Sequence, residues 1–269
     1  MNTIDVTQDD QICRVNLNRP DQLNAINAEM LSELIAVFED IDNSREIRVV
    51  ILSGMGRGFC AGADLMSTDA AGSIPGTDDM RQLGYVYKYQ EYLTKAILAI
   101  HECDKPVITA VNGAAVGGGL AFALASDFRI ASTQAKFGSV FIKVGLSSCD
   151  VGTSYFLPRL IPPTKALELM ATGRIFTAQE ANELGLLNDL VEPEALDGAA
   201  VSLAEALMEN SEYGVWMTKK GFWSNLNAPS LRHAMELENR TQVLGYFTGG
   251  MEDAMEAFAR GEKPKWRKL

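Results

Sequence analysis

Val111-Asn112-Gly113-Ala114-Ala115-Val116-Gly117-Gly118-Gly119-Leu120 lies between an apolar strand, residues 106–111, and an alanine-rich helical run, residues 120–125. A strand stops, the backbone turns on glycines, and a helix begins. The first N–H groups of a helix have no partner within it and carry the positive end of its dipole. Three glycines remove the side chains that would keep a ligand away from those amides. The stretch therefore predicts a pocket for negative charge built from main chain. It suits a phosphate, or an oxyanion developing on a carbonyl.

A second segment has the same form. Residues 49–52 read as a buried strand, Ser53-Gly54-Met55-Gly56-Arg57-Gly58 as a glycine loop, and Phe59-Cys60-Ala61-Gly62-Ala63-Asp64-Leu65 as a small-residue turn. Either cluster alone reads better as a mere tight turn. Together they could aim two N–H groups at one oxygen, each donor worth about 3–4 kcal/mol to a transition state. Residues 54–58 miss the GxGxxG spacing of a dinucleotide fold, and residues 117–119 lack the lysine of a P-loop. The recurrence of a strand, a glycine turn and a helix hints at an internal repeat.

Around this frame, residues 3–8 and 11–17 read as strands joined at Asp9-Asp10. Asn27 is placed to cap a helix whose apolar face is Met30, Leu31, Leu34, Ile35, Phe38 and Ile41. Residues 66–77 have the composition of a mobile loop. A helix over 79–100 follows, with Tyr85, Tyr89 and Tyr92 as either core or pocket lining. Strands are expected at 127–131 and 136–138, and a helix at 162–171. Another helix runs to residue 184, capped by Thr177, with Glu180 completing a capping box. Residues 186–191 read as a strand-like return. Beyond residue 193 the pattern is helical over 193–210, 212–225, 229–249 and 251–260. This divides the chain into a mixed core, 1–192, and a helical region, 193–269. The basic tail at 261–268 is either a solvated terminus or a clamp for an anionic ligand.

The 269 residues are 47% hydrophobic and 22% charged, enough to bury a sizeable core. A net charge of −11 argues against binding nucleic acid or an anionic membrane surface. No apolar run reaches membrane-spanning length, and no signal peptide is expected. Cys13, Cys60, Cys103 and Cys149 are spread out with no CxxC pair, as in a reduced, cytoplasmic protein. His101 and His233 stand far apart without an HExxH, so no metal site is expected.

The combination Asn18-Arg19-Pro20 with Leu23-Asn24-Ala25, then the turn at 59–65, then Val111-Asn112-Gly113 with Gly117-Gly118-Gly119, resembles the enoyl-CoA hydratase/isomerase (crotonase) superfamily. The resemblance covers nearly the whole chain. It implies an α/β fold of the crotonase-like (ClpP/crotonase) kind, a spiral of β-β-α repeats with a C-terminal α-helical oligomerisation region that builds a homotrimer or a dimer of trimers. It implies an acyl-CoA thioester as substrate and no cofactor. The thioester oxygen would lie between the amides of Ala63 and Gly118, with coenzyme A meeting Asp21, Gln22, Leu23 and the backbone of Ala61, Ala63, Asp64 and Leu65. Polarising the thioester stabilises an enolate, which serves hydration, isomerisation, decarboxylation or hydrolysis alike.

The family's hydratase pattern holds water between two glutamates. At the matching positions this chain has Ala121 and Phe141, neither able to transfer a proton. The remaining acid is Asp150, in a loop resembling that of dienoyl-CoA isomerases but one residue longer. It is the candidate acid/base, and an aspartate there equally suits a helix cap or an internal salt bridge. Asp64 is read as a loop-holding acceptor, Cys149 as a small buried thiol, and Lys263 and Lys265 as partners for coenzyme A phosphates from a neighbouring subunit. A non-catalytic acyl-CoA binder is the alternative from another class. RNA binding is opposed by the charge.

Overall fold

The computed structural model describes residues 1–66 and 73–269. Its strands are β1 (Ile4–Asp9), β2 (Ile12–Leu17), β3 (Val49–Gly54), β4 (Val107–Val111), β5 (Ala114–Val116), β6 (Phe128–Ser132), β7 (Lys136–Gly138), β8 (Phe176–Thr177) and β9 (Asp189–Val191). The helices are α1 (Ala28–Asn43), α2 (Gln82–Glu102), α3 (Gly118–Ala125), α4 (Thr153–Leu160), α5 (Pro163–Thr172), α6 (Ala178–Glu183), α7 (Leu196–Met208), α8 (Glu212–Asn225), α9 (Leu231–Gly245) and α10 (Gly250–Arg260).

A large sheet runs in the order β1-β2-β3-β4-β6-β9, and a small one in the order β5-β7-β8. Only β1 is antiparallel to its neighbour in the large sheet. Its central strands are buried on both faces, which explains their unbroken apolar runs. Along β3, Val50 and Leu52 enter the main core with α1 and α2, while Val49 and Ile51 enter a second core with Leu196, Ala200 and Ala204 of α7.

The hinted repeat is real and recurs. In β4-β5-α3 and again in β6-β7-α4, the first strand joins the large sheet, the second joins the small one, and a helix follows. Beginning at β3 the plan appears once more. Cys60 forms a parallel bridge to Ala115 where a second strand would stand, and α2 follows. The glycine turns therefore occupy equivalent places in successive coils.

Local signals account for most boundaries. Asn27 accepts from the Met30 amide at 3.0 Å and starts α1. Thr177 Oγ1 accepts from the Glu180 amide at 3.1 Å. The other half of the expected capping box is not formed, because the Glu180 carboxylate holds the Arg174 guanidinium. The helix expected from residue 79 begins three residues later, behind Arg81, which supplies no side-chain cap. Half of the expected mobile loop, residues 67–72, lies outside the described residues. In its later part Ile74 is buried and its carbonyl accepts from the Thr77 hydroxyl at 2.7 Å, so this end is packed.

Candidate active site

The site begins at the end of β3. Gly54 is pressed so closely that an added Cβ would lie 2.4 Å from the Phe59 carbonyl. Asn24, fully buried, holds the loop with one amide nitrogen donating to the carbonyls of Met55, Gly58 and Phe59 at 2.9–3.0 Å. Its oxygen accepts from the Arg19 amide at 2.8 Å. Arg19 then spans to Asp64, 2.9 Å from Nη2 to Oδ2. Asp64 Oδ1 also accepts from the Met66 amide at 3.1 Å, so this carboxylate does hold the loop.

Residues 60–64 are stitched to both sides by backbone. The Cys60 amide donates to Ala114 and the Val116 amide to Cys60, at 2.8 and 3.1 Å. On the opposite edge, the Ile26 amide donates to the Gly62 carbonyl at 2.8 Å, and the Asp64 amide to the Ile26 carbonyl at 2.9 Å. A parallel bridge of this kind uses the groups flanking Ala63. Ala63's own N–H points away from Ile26, toward the side on which β5 and α3 lie. Gly62, at φ +86°, brings the two turns together: a Cβ on it would lie 2.8 Å from Val116 O and 3.4 Å from the Gly118 nitrogen.

Gly118 is the first residue of α3. Its predecessor Gly117 has φ 54° and ψ −123°, a conformation open essentially to glycine alone, and this ψ sets the direction of the Gly118 N–H. At Gly119 an added Cβ would fall 2.1 Å from the Cys60 carbonyl, so α3 can start here only without a side chain. Every residue of α3 is buried. Among the described residues, neither the Ala63 amide nor the Gly118 amide donates to a protein acceptor. Cys60 lies behind this junction, and burial pushes its thiol up to about 12, keeping it protonated.

Asp21 and Gln22 form a short 3-10 turn with Pro20 and are exposed, and Leu23 closes it at φ 52°. The Leu23 carbonyl accepts from the Ala61 amide at 3.0 Å, which sets residues 21–23 beside 61–65. Ala63 and Leu65 are exposed at this rim.

Ala121 is buried one turn into α3, and Phe141 places its ring 3.9 Å from the Cβ position of Gly117. The Asp150 loop is tied to the same wall. Ser148 Oγ donates to the Ser139 carbonyl at 3.2 Å, and the neighbouring Gly138 carbonyl accepts from the Gly117 amide at 2.9 Å. Asp150 does not cap α4, whose N-cap is Gly152. Its Oδ1 accepts from the Val151 amide at 2.9 Å and from Gln90 Nε2 of α2.

Cys149, expected to be buried, is exposed, because Ser148 rather than Cys149 turns inward. Tyr92 bonds Ser32 of α1 at 3.2 Å and packs with Tyr89 against the main core, and Tyr85 meets Ser73 at 3.1 Å. The basic tail folds back on its own chain, with Lys263 on Glu209, Arg267 on Asp253 and Lys268 on Glu46. Sequence reasoning assigned no role to Arg19, Asn24 or Gln90. The first two stand in the motif quoted for the resemblance; Gln90 is flagged only by sharing a helix face with Leu93 and Ile97.

The family model described as enoyl-CoA hydratase/isomerase matches residues 7–268. The chain belongs to the enoyl-CoA hydratase/isomerase family. It is 37% identical to a probable enoyl-CoA hydratase of Mycobacterium bovis, over 94% of this chain and 88% of the relative. It is 31% identical to the 1,2-epoxyphenylacetyl-CoA isomerase of Escherichia coli, over 95% of this chain and 94% of that one. A crystal structure of a probable enoyl-CoA hydratase/isomerase from Mycobacterium abscessus superposes with a TM-score of 0.92 at 34% identity, covering 99% of this chain and 100% of that one. The protein is thus an enzyme of this family, with its crotonase-like α/β fold. Hydratases and isomerases alike stand among its relatives.

Proposed function

We propose that this enzyme holds the carbonyl oxygen of an acyl-CoA thioester between the amides of Ala63 and Gly118, and that Asp150 takes a proton from the acyl chain to form the enolate and returns it to the chain. The observation that carries this is the junction of Gly62 with Gly117 and Gly118. It leaves two uncommitted N–H groups on adjoining turns, one of them at the start of a buried helix. Donors fixed in place before the charge forms need no reorganisation when it does. Asp21, Gln22, Leu23 and the backbone of residues 61–65 form the rim for coenzyme A. Proton transfer and backbone hydrogen bonding suffice for this chemistry, so the thioester is a substrate and no further cofactor is invoked.

With Ala121 and Phe141 at the two glutamate positions, water held between paired carboxylates is not the route. A single carboxylate at residue 150 fits isomerisation of an enoyl or dienoyl thioester, or hydration by an atypical path. Turnover of trans-2-enoyl, 3-enoyl and dienoyl-CoA thioesters by the wild type and by Asp150→Asn tests this. Loss of about 10²–10⁴-fold in kcat with binding retained is expected for a general acid/base. Tight thioester binding with no turnover of any of them would instead make the protein a binder.

The assembly we infer is a homotrimer, or a dimer of trimers, formed by the 193–269 region in the cytoplasm. α8, α9 and α10 line a groove of about 780 Å³ and leave Leu231, Phe247 and Phe258 more than three-quarters exposed. Such apolar surface favours a partner copy.

A further inference from the structure

We propose that Gln90 is a positioning residue for the acid/base. It fixes the Asp150 carboxylate through Oδ1 so that Oδ2 alone is presented for proton transfer. The proposal rests on Asp150 acting as the acid/base.

Two donors reach this carboxylate, and both land on the same oxygen. The Val151 amide donates to Oδ1 at 2.9 Å, and Gln90 Nε2 donates to Oδ1 from across the fold. Among the described residues Oδ2 accepts nothing. With one oxygen anchored and the other open, the carboxylate offers a single defined oxygen for proton exchange. The first donor is held by an unusual backbone. Val151 is β-branched and nearly buried, yet sits at φ 38°. A β-branched residue adopts this conformation only where its surroundings enforce it.

The second donor is set by helix packing. Gln90, Leu93 and Ile97 fall at i, i+3 and i+7 on α2 and share one face. Leu93 and Ile97 are buried, and Ile97 Cγ2 lies 3.7 Å from the Cβ position of Gly152. The same face that packs α2 on the 150–152 loop therefore delivers the Gln90 amide to Asp150. No other described side chain donates to Asp150. Gln90 is itself exposed. Its substitution leaves the core untouched, and its hydrogen bond serves placement more than stability.

The test is a double-mutant cycle with Gln90→Leu, Asp150→Asn and the pair, assayed on the acyl-CoA thioester the wild type turns over fastest. Gln90→Leu should lower kcat by about tenfold or more through misplacement of the carboxylate, with KM nearly unchanged. In the Asp150→Asn background it should cost nothing further, since its effect passes through the carboxylate. Gln90→Glu keeps the size but loses the N–H donors in neutral buffer, and should fall at least as far. If Asp150→Asn is impaired but Gln90→Leu matches the wild type, Gln90 has no such role and Asp150 keeps its own. Equal losses from Gln90→Leu in both backgrounds, or full activity of Gln90→Glu, would mean a packing role and overturn the proposal. Full activity of Asp150→Asn would remove the acid/base assignment beneath it, and the proposal with it.

Discussion

Replacing Gly117 by alanine separates the chemistry of the glycine turn from its architecture. A Cβ at this position would meet nothing nearer than 3.6 Å, so no collision is introduced. The penalty is conformational, since φ 54° with ψ −123° costs an L-residue about 2–3 kcal/mol. Alanine can escape by leaving the left-handed region, which turns the peptide between residues 117 and 118. That peptide also carries the carbonyl that accepts from the Ala121 amide at 3.1 Å, so rotation forfeits a hydrogen bond worth about 1 kcal/mol. The rotated form should therefore win by about 1–2 kcal/mol, a factor of 5–30 in population. Only the minority keeps the Gly118 N–H in the direction proposed for the thioester oxygen.

Turnover should fall by about the same 5–30-fold, while stability drops by only about 1 kcal/mol, or some 2–4 °C in Tm. Gly185→Ala is the matched control. Gly185 has φ +81° with nothing within 4 Å of its Cβ position, and it lies beyond α6, away from the site. It should lose comparable stability and no activity. Steady-state kinetics and thermal melts of the two variants decide the matter. If Gly117→Ala keeps the kcat of Gly185→Ala, the Gly118 amide is not the donor supposed.

Other expectations follow from the same contacts. Asn24→Leu strands three carbonyls and the Arg19 amide, and should cost about 2–4 kcal/mol, read as a lower urea midpoint with an unchanged slope. Arg19→Ala releases Asp64 and should raise KM for the thioester more than it lowers kcat, because the rim at 61–65 loses its anchor. His101 is packed edge-on between Phe156 and Trp223, with ring centroids 4.9 and 4.6 Å away, and burial holds its pKa below the usual imidazole range. The unfolded chain then takes up the proton first, so stability should decline as pH falls below about 6.5, and His101→Gln should flatten that decline in urea titrations. Phe258→Glu should break the proposed trimer, read in light scattering as a fall to the mass of a monomer, with the isolated subunit still folded.

The sequence disclosed the elements whose signals are local. Asn27 and Thr177 cap where expected, and the doubly buried strands read as apolar runs. It did not disclose β5, because Ala114-Ala115-Val116 is too short for alternation and is flanked by glycines that read as turn. Glu180 shows the opposite failure, a correct local motif whose second half lost to Arg174, a cation that the capping pattern does not include. The convergence at Gly62 could be argued from two similar turns, but the contact itself depends on how successive coils stack. Gln90 and Asp150 meet only because α2 crosses the loop before α4, a pairing that no local pattern encodes.

The donors proposed at residues 63 and 118 belong to the main chain, and this affects how such an enzyme can diverge. Any residue except proline at position 63 supplies the same N–H, and the exposed Ala63 side chain leaves room for replacement. At position 63, unlike at the glycine turn, point mutation therefore finds it hard to erase the proposed donor, yet it easily exchanges the side chains that would decide what the enolate becomes. Inheritance on such a scaffold would keep an intermediate and leave its fate open to change.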